Sequence, residues 1–292
     1  MAIDIIDGCK VYFNLDGTRD IIVDSDCIDE CMQVFVKNNF DGVAVTTSHN
    51  YRRQDIDFLS DFPEVKQLSV SDGIGEIKAI HHLTNLTFLM LSGKNRKVDF
   101  GSFPVLTNLI SDWSPNFLNM DSCKQLSQLT FHHYTPKSKD FSSLANVPWV
   151  KRLEITQSPI KTLNGLDKFN QLEELEMNYC GKLETLCCLK ESKATLLSSR
   201  FNHCKSIQNH EYVVHLNHLN TLGYSYGGTI PSIKFIEKMR SLKNFLFVGT
   251  DVSDGDISPC VGLEYAGFTD KKHFSHTMKQ INELSKKAKG RS

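Results

Sequence analysis

The chain has 292 residues, of which 40% are apolar and 23% are charged, close to the average for soluble globular proteins. This composition excludes a disordered chain, and no apolar run approaches the roughly 20 residues that a membrane-spanning helix needs. Nine cysteines without paired spacing argue against a disulfide framework. The first residues are acidic, whereas a secretory signal begins with basic ones. We therefore expect a cytoplasmic protein, unless an export signal has been removed from the chain.

The N-terminal segment has the pattern of a cap. Two apolar runs between Val11 and Val23 flank a Gly-containing turn, which predicts a β-hairpin. Apolar residues then recur at helical spacing, which predicts a helix over 27–37. We assign residues 1–39 to this cap.

From Phe40 onward one apolar pattern recurs: an apolar residue, two variable residues, an apolar residue, one variable residue and an apolar residue. Its copies begin at Phe40, Val65, Leu86, Leu106, Leu126, Val150, Leu172, Leu196, Leu219, Leu242 and Leu263. The intervals between these eleven copies are 20 to 25 residues, which is typical of a repeat solenoid. Each copy predicts one strand, and the strands stack into a parallel sheet about 4.8 Å apart.

The fullest copy, from Ile160 to Met177, resembles the internalin-like leucine-rich repeats of bacteria, and the resemblance covers 40–268. It implies an α/β leucine-rich repeat solenoid with a curved parallel sheet on the concave face and 3₁₀ turns on the convex face. Two longer returns, around 209–217 and 232–239, are expected to form short α-helices.

These features predict a single domain over 1–292. It consists of the cap at 1–39, repeats at 40–270, and a C-terminal cap with a basic tail at 271–292. That last segment carries seven Lys or Arg and one Glu, a balance of +6, which leaves −7 on residues 1–270. A solvated terminal helix explains the tail, and a nucleic-acid-binding tail is the alternative.

Two positions in the repeats depart from the apolar pattern. Cys180 and Cys204 each follow the last apolar residue of their copy by three residues. The resemblance implies that this position is buried at the turn that leaves the strand. The copy at Leu196 has Ser199 in place of its second apolar residue, which predicts an irregular repeat there.

Catalytic and metal-binding patterns are weak in this sequence. His215 and His218, like His273 and His276, are spaced three apart, but a structural zinc needs four ligands and no matching Cys or His pair accompanies them. The common nucleophile, phosphate-binding and zinc-protease motifs are absent. We predict a non-enzymatic protein with no metal, no cofactor and no small-molecule substrate.

The variable positions of the strands predict a binding face, because side chains alternate between the two faces of a sheet. Aromatic and imidazole residues follow the strands in successive repeats, beside a group of carboxylates. The predicted partner-binding residues are Asp112, Trp113, His132, His133, Tyr134, Arg152, Glu154, Glu174, Glu176, Tyr179, Arg200, His203 and Tyr226. Tyr and Trp are frequent interface anchors. The alternative is that the rings only shield the strand ends.

The sequence thus predicts a module that sequesters a specific protein through its concave face. Single capped arrays of this size resemble bacterial immunity proteins that neutralise nuclease toxins, including those of contact-dependent growth inhibition. That resemblance implies a toxin partner with a basic surface. The lack of a long apolar run predicts no membrane contact. We do not expect a nucleic-acid ligand, because the basic tail lacks the interleaved aromatic residues that stack on bases. The alternative is a secreted or cytoplasmic effector or adaptor that binds a host or regulatory protein.

Overall fold

A computed structural model describes residues 2–191 and 195–289, and these form two compact units, 1–129 and 130–292. Its helices are α1 Ile28–Lys37 and α2 Met278–Lys289. Its strands are β1 Ala2–Ile6, β2 Cys9–Phe13, β3 Arg19–Ile22, β4 Gly42–Val45, β5 Gln67–Val70, β6 Phe88–Leu91, β7 Val98–Asp99, β8 Asn108–Asp112, β9 Phe117–Leu118, β10 Gln128–His132, β11 Arg152–Thr156, β12 Glu174–Asn178, β13 Ser198–Asn202, β14 Thr221–Gly223, β15 Thr229–Ile230, β16 Asn244–Phe247, β17 Asp251–Val252 and β18 Tyr265–Phe268.

The first unit begins with the predicted cap. Strands β2 and β3 form the antiparallel hairpin, and α1 buries Cys31, Met32 and Phe35 beside it. Strand β1 pairs antiparallel with β2 and was not predicted, because most of its residues are exposed and show no alternation. From β3 the order continues through β4, β5, β6 and β8, and all of these pairs are parallel.

The second unit continues the same architecture in the order β11, β12, β13, β14, β16 and β18, with every pair parallel. Helix α2 covers the last strand. Asn282 bonds both the N–H and the carbonyl of Ala266, and the Ser285 hydroxyl accepts a hydrogen bond from the Gly262 N–H. The cap predicted for this end is therefore present, while residues 290–292 of the predicted tail lie outside the described residues.

All eleven predicted repeat strands are confirmed. Each strand starts two residues after the first apolar residue of its copy, from Gly42 after Phe40 to Tyr265 after Leu263. Within the second unit, the parallel register aligns the second apolar positions of β11, β12 and β13, and all three are buried. Even Ser199, in the degenerate copy, is fully buried in a strand that pairs regularly on both sides. The irregularity predicted there is not seen in β13, while residues 192–194 just before it are outside the described part.

The return segments correct one expectation. The residues around 209–217 and 232–239 form 3₁₀ helices, His210–His215 and Lys234–Lys238, and not the predicted α-helices. Buried apolar residues recur every third position in these returns, for example at Ile233, Ile236 and Met239. A spacing of three matches the three residues per turn of a 3₁₀ helix, whereas an α-helix would rotate them off the core.

The buried cysteine position is confirmed. Cys180 and Cys204 are buried, and their thiols lie 3.7 Å and 3.4 Å from the carbonyls of Ile155 and Met177 in the preceding repeat. Among the described residues, no helix is both long and apolar enough to cross a bilayer.

Candidate partner-binding site

The backbone turns into the left-handed region one to three residues after several strands of the second unit. Tyr179, His203 and Tyr226 have φ of 56°, 57° and 51°, and His133 and Gln157 have similar values. The turn continues the ladder between repeats, because the N–H of Tyr179 donates to the carbonyl of Asn202, 2.9 Å away. The N–H groups of His203 and Tyr226 make the corresponding bonds one repeat further on. One conformation therefore repeats at the same edge of the sheet.

This shared conformation places three rings in one stack. The ring centroids of Tyr179 and His203 are 4.3 Å apart, and those of His203 and Tyr226 are 4.8 Å apart, with planes within 20° of parallel. The stack ends on Gly249, where an added Cβ would lie 2.5 Å from the Tyr226 ring. The outer rings remain accessible, since Tyr179 is 57% exposed and Tyr226 is 50% exposed. We call Tyr179, His203 and Tyr226 the aromatic stack.

The middle ring of the aromatic stack carries an unsatisfied polar atom. His203 Nδ1 is buried, and it has no hydrogen-bond partner among the described residues. Burying a polar atom without a partner is unfavourable. The ring is therefore held by its two neighbours and by its backbone, and not by a hydrogen bond at Nδ1.

The predicted carboxylate cluster is neutralised in part by an arginine. Arg152 Nη1 donates to Glu174 Oε2 at 2.6 Å, and Nη2 donates to Glu176 Oε2 at 3.3 Å. The same Nη2 lies 3.7 Å from Glu154 Oε2. Arg200 sits opposite Glu176 in the neighbouring strand. Three Glu and two Arg leave a net charge of −1, so the cluster is less acidic than its glutamates alone suggested.

Asparagine side chains complete the network. Asn178 Nδ2 donates to Glu154 Oε1 at 3.0 Å, and Asn202 Nδ2 donates to Asn178 Oδ1 at 2.9 Å. These residues occupy the outward position that immediately precedes Tyr179 and His203, the first two residues of the aromatic stack. Neither asparagine is among the predicted partner-binding residues, although each lies two residues after one of them, Glu176 or Arg200, and therefore on the same face.

The structure corrects the prediction for Tyr134. Its side chain is fully buried, its hydroxyl donates to the Asp140 carbonyl at 2.9 Å, and its ring packs between Phe131 and Phe141. Tyr134 occupies the repeat position of Cys180, five residues after the second apolar residue, which faces the core. That register was the sequence signal that separates it from the exposed residues.

The remaining predicted residues lie at strand ends. In the first unit, Asp112 Oδ2 accepts a hydrogen bond from the Gly93 N–H at 2.7 Å, and Trp113 is half-buried. In the second unit, His132 and His133 are half-buried, and the His133 N–H donates to the Thr156 carbonyl at 2.9 Å. Within the described part of the chain, no group of three or more His, Cys, Asp or Glu is arranged to hold a metal ion.

No protein-family profile and no curated protein matches the chain. Among solved structures, an internalin from Listeria monocytogenes aligns with a TM-score of 0.55 and 16% identity, over 87% of this chain and 83% of that one. The fold is a leucine-rich repeat solenoid. A leucine-rich repeat protein from Leptospira interrogans aligns with a TM-score of 0.41 and 14% identity, over 73% of this chain and 64% of that one. At these identities the likeness concerns the fold alone.

Proposed function

We propose that this leucine-rich repeat protein is a non-enzymatic binding module that sequesters one specific protein, with the aromatic stack as its anchor. The observation that carries the proposal is the stack itself, whose two outer rings are at least half exposed. Tyrosine buries a large area on binding and loses little side-chain entropy, and its hydroxyl keeps a hydrogen-bonding tip. Stacked rings are already ordered, so binding has less conformational freedom to remove.

The backbone conformation supports a role for these side chains beyond the fold. A left-handed conformation costs roughly 1 to 2 kcal/mol for a residue with a Cβ, and glycine avoids that cost. Glycine occupies the corresponding position in the next repeat, at Gly249 with φ of 69°. Retention of Tyr179, His203 and Tyr226 where glycine is easier to accommodate is consistent with selection for their rings.

The proposed partner is a toxin nuclease domain with a basic surface, and the chain acts as the bacterial immunity protein that neutralises it. Charge supports this choice, since residues 1–270 carry a net −7. Glu154, Glu174 and Glu176 lie on the neighbouring strands β11 and β12. The aromatic stack begins at Tyr179, directly after β12. A basic partner would compete with Arg152 for these carboxylates and be steered toward them.

Site-specific photo-crosslinking tests the proposal directly. A benzophenone amino acid is placed at Tyr179 in one variant and at Tyr265 in a matched control, because Tyr265 is 47% exposed but belongs to strand β18, away from the aromatic stack. Cross-linked products from producing cells are identified by mass spectrometry. The recovered partner is then purified and assayed as a nuclease with and without this chain.

The expected result is one protein cross-linked at Tyr179 and not at Tyr265, with nuclease activity that falls in stoichiometric mixture with this chain. Equal cross-linking at both positions would contradict the proposed anchor. A single partner without nuclease activity would refute the immunity role and favour the adaptor alternative, while the binding surface itself would stand.

A further inference from the structure

The first unit contains a cavity on the outward face of its sheet that the proposed function does not use. Its floor is built from small side chains, because Ala44 and Ser69 occupy paired outward positions on β4 and β5. The larger side chains of Phe88 and Met90, on β6, form one wall. The cavity is open to solvent, and its volume of about 810 Å³ is within the range of small-molecule sites.

The hairpin of β2 and β3 forms the opposite side of this cavity. Tyr12 on β2 and Leu15 in the turn line it, and Leu15 is almost completely exposed. Polar bonds fix the turn, since Asp16 Oδ1 accepts from the Thr18 hydroxyl at 2.7 Å and from the Thr18 N–H at 3.0 Å. The cavity therefore lies between the cap hairpin and the outward face of the first repeat strands.

One buried carboxylate in the cavity lining is only half satisfied. Asp20 is 7% exposed, and its Oδ2 accepts a hydrogen bond from Asn14 Nδ2 at 2.8 Å. Its Oδ1 is buried against Gly42 and has no partner among the described residues. Burial raises the pKa of Asp20 to about 6, so the side chain is ionised above neutral pH. A buried, ionised oxygen without a donor is unfavourable unless a ligand supplies one.

The charges and rings around Asp20 define what that ligand must be. The lining contains Asp16 and Asp20 and no Lys, Arg or His. The Tyr12 and Phe88 rings attract cations to their faces, and the Met90 thioether packs against alkyl groups. We propose that the cavity binds an alkylammonium ion, with an N–H donated to Asp20 and the alkyl chain against Phe88 and Met90.

The test uses the full chain labelled with ¹³C at the methionine methyl groups and titrated with n-hexylammonium chloride at pH 7.5. The Met90 signal is assigned from the spectrum of Met90→Leu. We expect it to shift saturably, with a dissociation constant on the order of 1 mM for so small a ligand. Hexan-1-ol, hexanoate and tetramethylammonium should each bind at least about tenfold more weakly, because each lacks the charge or the N–H donor.

Two variants and one control separate the carboxylate from the cavity. Asp20→Asn should raise the dissociation constant of hexylammonium roughly tenfold or more. Ser69→Leu should abolish binding by filling the floor without touching the carboxylate, so it tests the site even if Asp20→Asn disturbs folding. Asp4→Asn, on the exposed strand β1, should change nothing.

The source of the amine is resolved by a further titration with N-acetyl-lysine methylamide. Binding at least as tight as that of hexylammonium assigns the site to a lysine side chain of a protein, and weaker binding assigns it to a free amine. Unchanged hexylammonium binding in Asp20→Asn, or equal binding of hexan-1-ol, would overturn the proposal. Neither outcome bears on the aromatic stack.

Discussion

The ring of Tyr179 stacks on the ring of His203 with centroids 4.3 Å apart, and both residues hold a left-handed backbone. Two energies of similar size oppose each other here. The left-handed conformation costs roughly 1 to 2 kcal/mol per residue, and an aromatic pair contributes about 0.5 to 1.5 kcal/mol beyond its buried area. The aromatic stack therefore adds little net stability, and its exposed rings are available to a partner.

Glycine substitution separates strain from binding. Gln157 shares the left-handed conformation, with φ of 57°, but is not part of the aromatic stack. Gln157→Gly should raise the free energy of unfolding by up to about 1 kcal/mol, less the entropy that glycine adds to the unfolded chain. Tyr179→Gly should have a free energy of unfolding within about 1 kcal/mol of the parent value, and it should weaken partner binding at least about tenfold. Urea unfolding and a binding titration measure both; a large loss of stability in Tyr179→Gly with unchanged affinity would make the ring structural.

Removing Arg152 should make the carboxylate cluster more attractive to a basic partner. In Arg152→Met the guanidinium no longer occupies Glu174 and Glu176, so the association rate should rise at low salt and return to the parent value at high salt. The stability change should stay within about 1 kcal/mol, since the pair is partly exposed. Lys151→Met is the matched control, because Lys151 pairs with Glu173, which is not part of the carboxylate cluster. A slower association in Arg152→Met would mean that Arg152 itself contacts the partner.

The strand positions were predictable from the sequence because burial has a strict period. Each strand needs inward apolar residues two apart, and parallel stacking repeats that need in every copy. The same logic located the buried Cys180 and Cys204, and it would have excluded Tyr134 had its register been compared with theirs. The periodic features of this solenoid can therefore be predicted from a single sequence.

The sites depend on side-chain contacts and backbone conformations that the repeat period does not specify. The repeat interval of 22 residues places Arg152 opposite Glu174, but it does not specify that one guanidinium bonds both Glu174 and Glu176. Glycine and asparagine are the usual sequence signals of a left-handed backbone, and neither occupies the left-handed positions Tyr179 and His203. The cavity depends on the small residues Ala44 and Ser69, which the register places beside the larger Met90.

The buried Asp20 should make the first unit less stable as pH rises. Burial is the main cause that raises its pKa to about 6, with Asp41 and Asp16 adding repulsion and Asn14 opposing it. The protonated form is therefore favoured in the folded state, and its stabilisation is complete below pH 3.8 and lost as pH rises to about 6. Asp20→Asn should be more stable than the parent by up to about 3 kcal/mol above pH 6, with the gap closing toward pH 4. Urea midpoints across that range measure the gap; a pH-independent difference would contradict the raised pKa.

His210 in the second unit should have the opposite dependence. Burial lowers its pKa to about 4, partly offset by Glu211, and its ring lies edge-on to Tyr224 with centroids 4.7 Å apart. The neutral ring is favoured in the folded state, so this stabilisation is present above pH 6.5 and is lost as pH falls to about 4. His210→Phe keeps an apolar ring that cannot ionise, and the parent should lose up to about 3 kcal/mol relative to it over that interval. Asp20 changes the free energy of unfolding in the opposite direction over much of the same pH range. The comparison of His210 with Phe is therefore made both in the parent and in Asp20→Asn. A parent and His210→Phe that respond identically to pH would show that His210 is not held neutral.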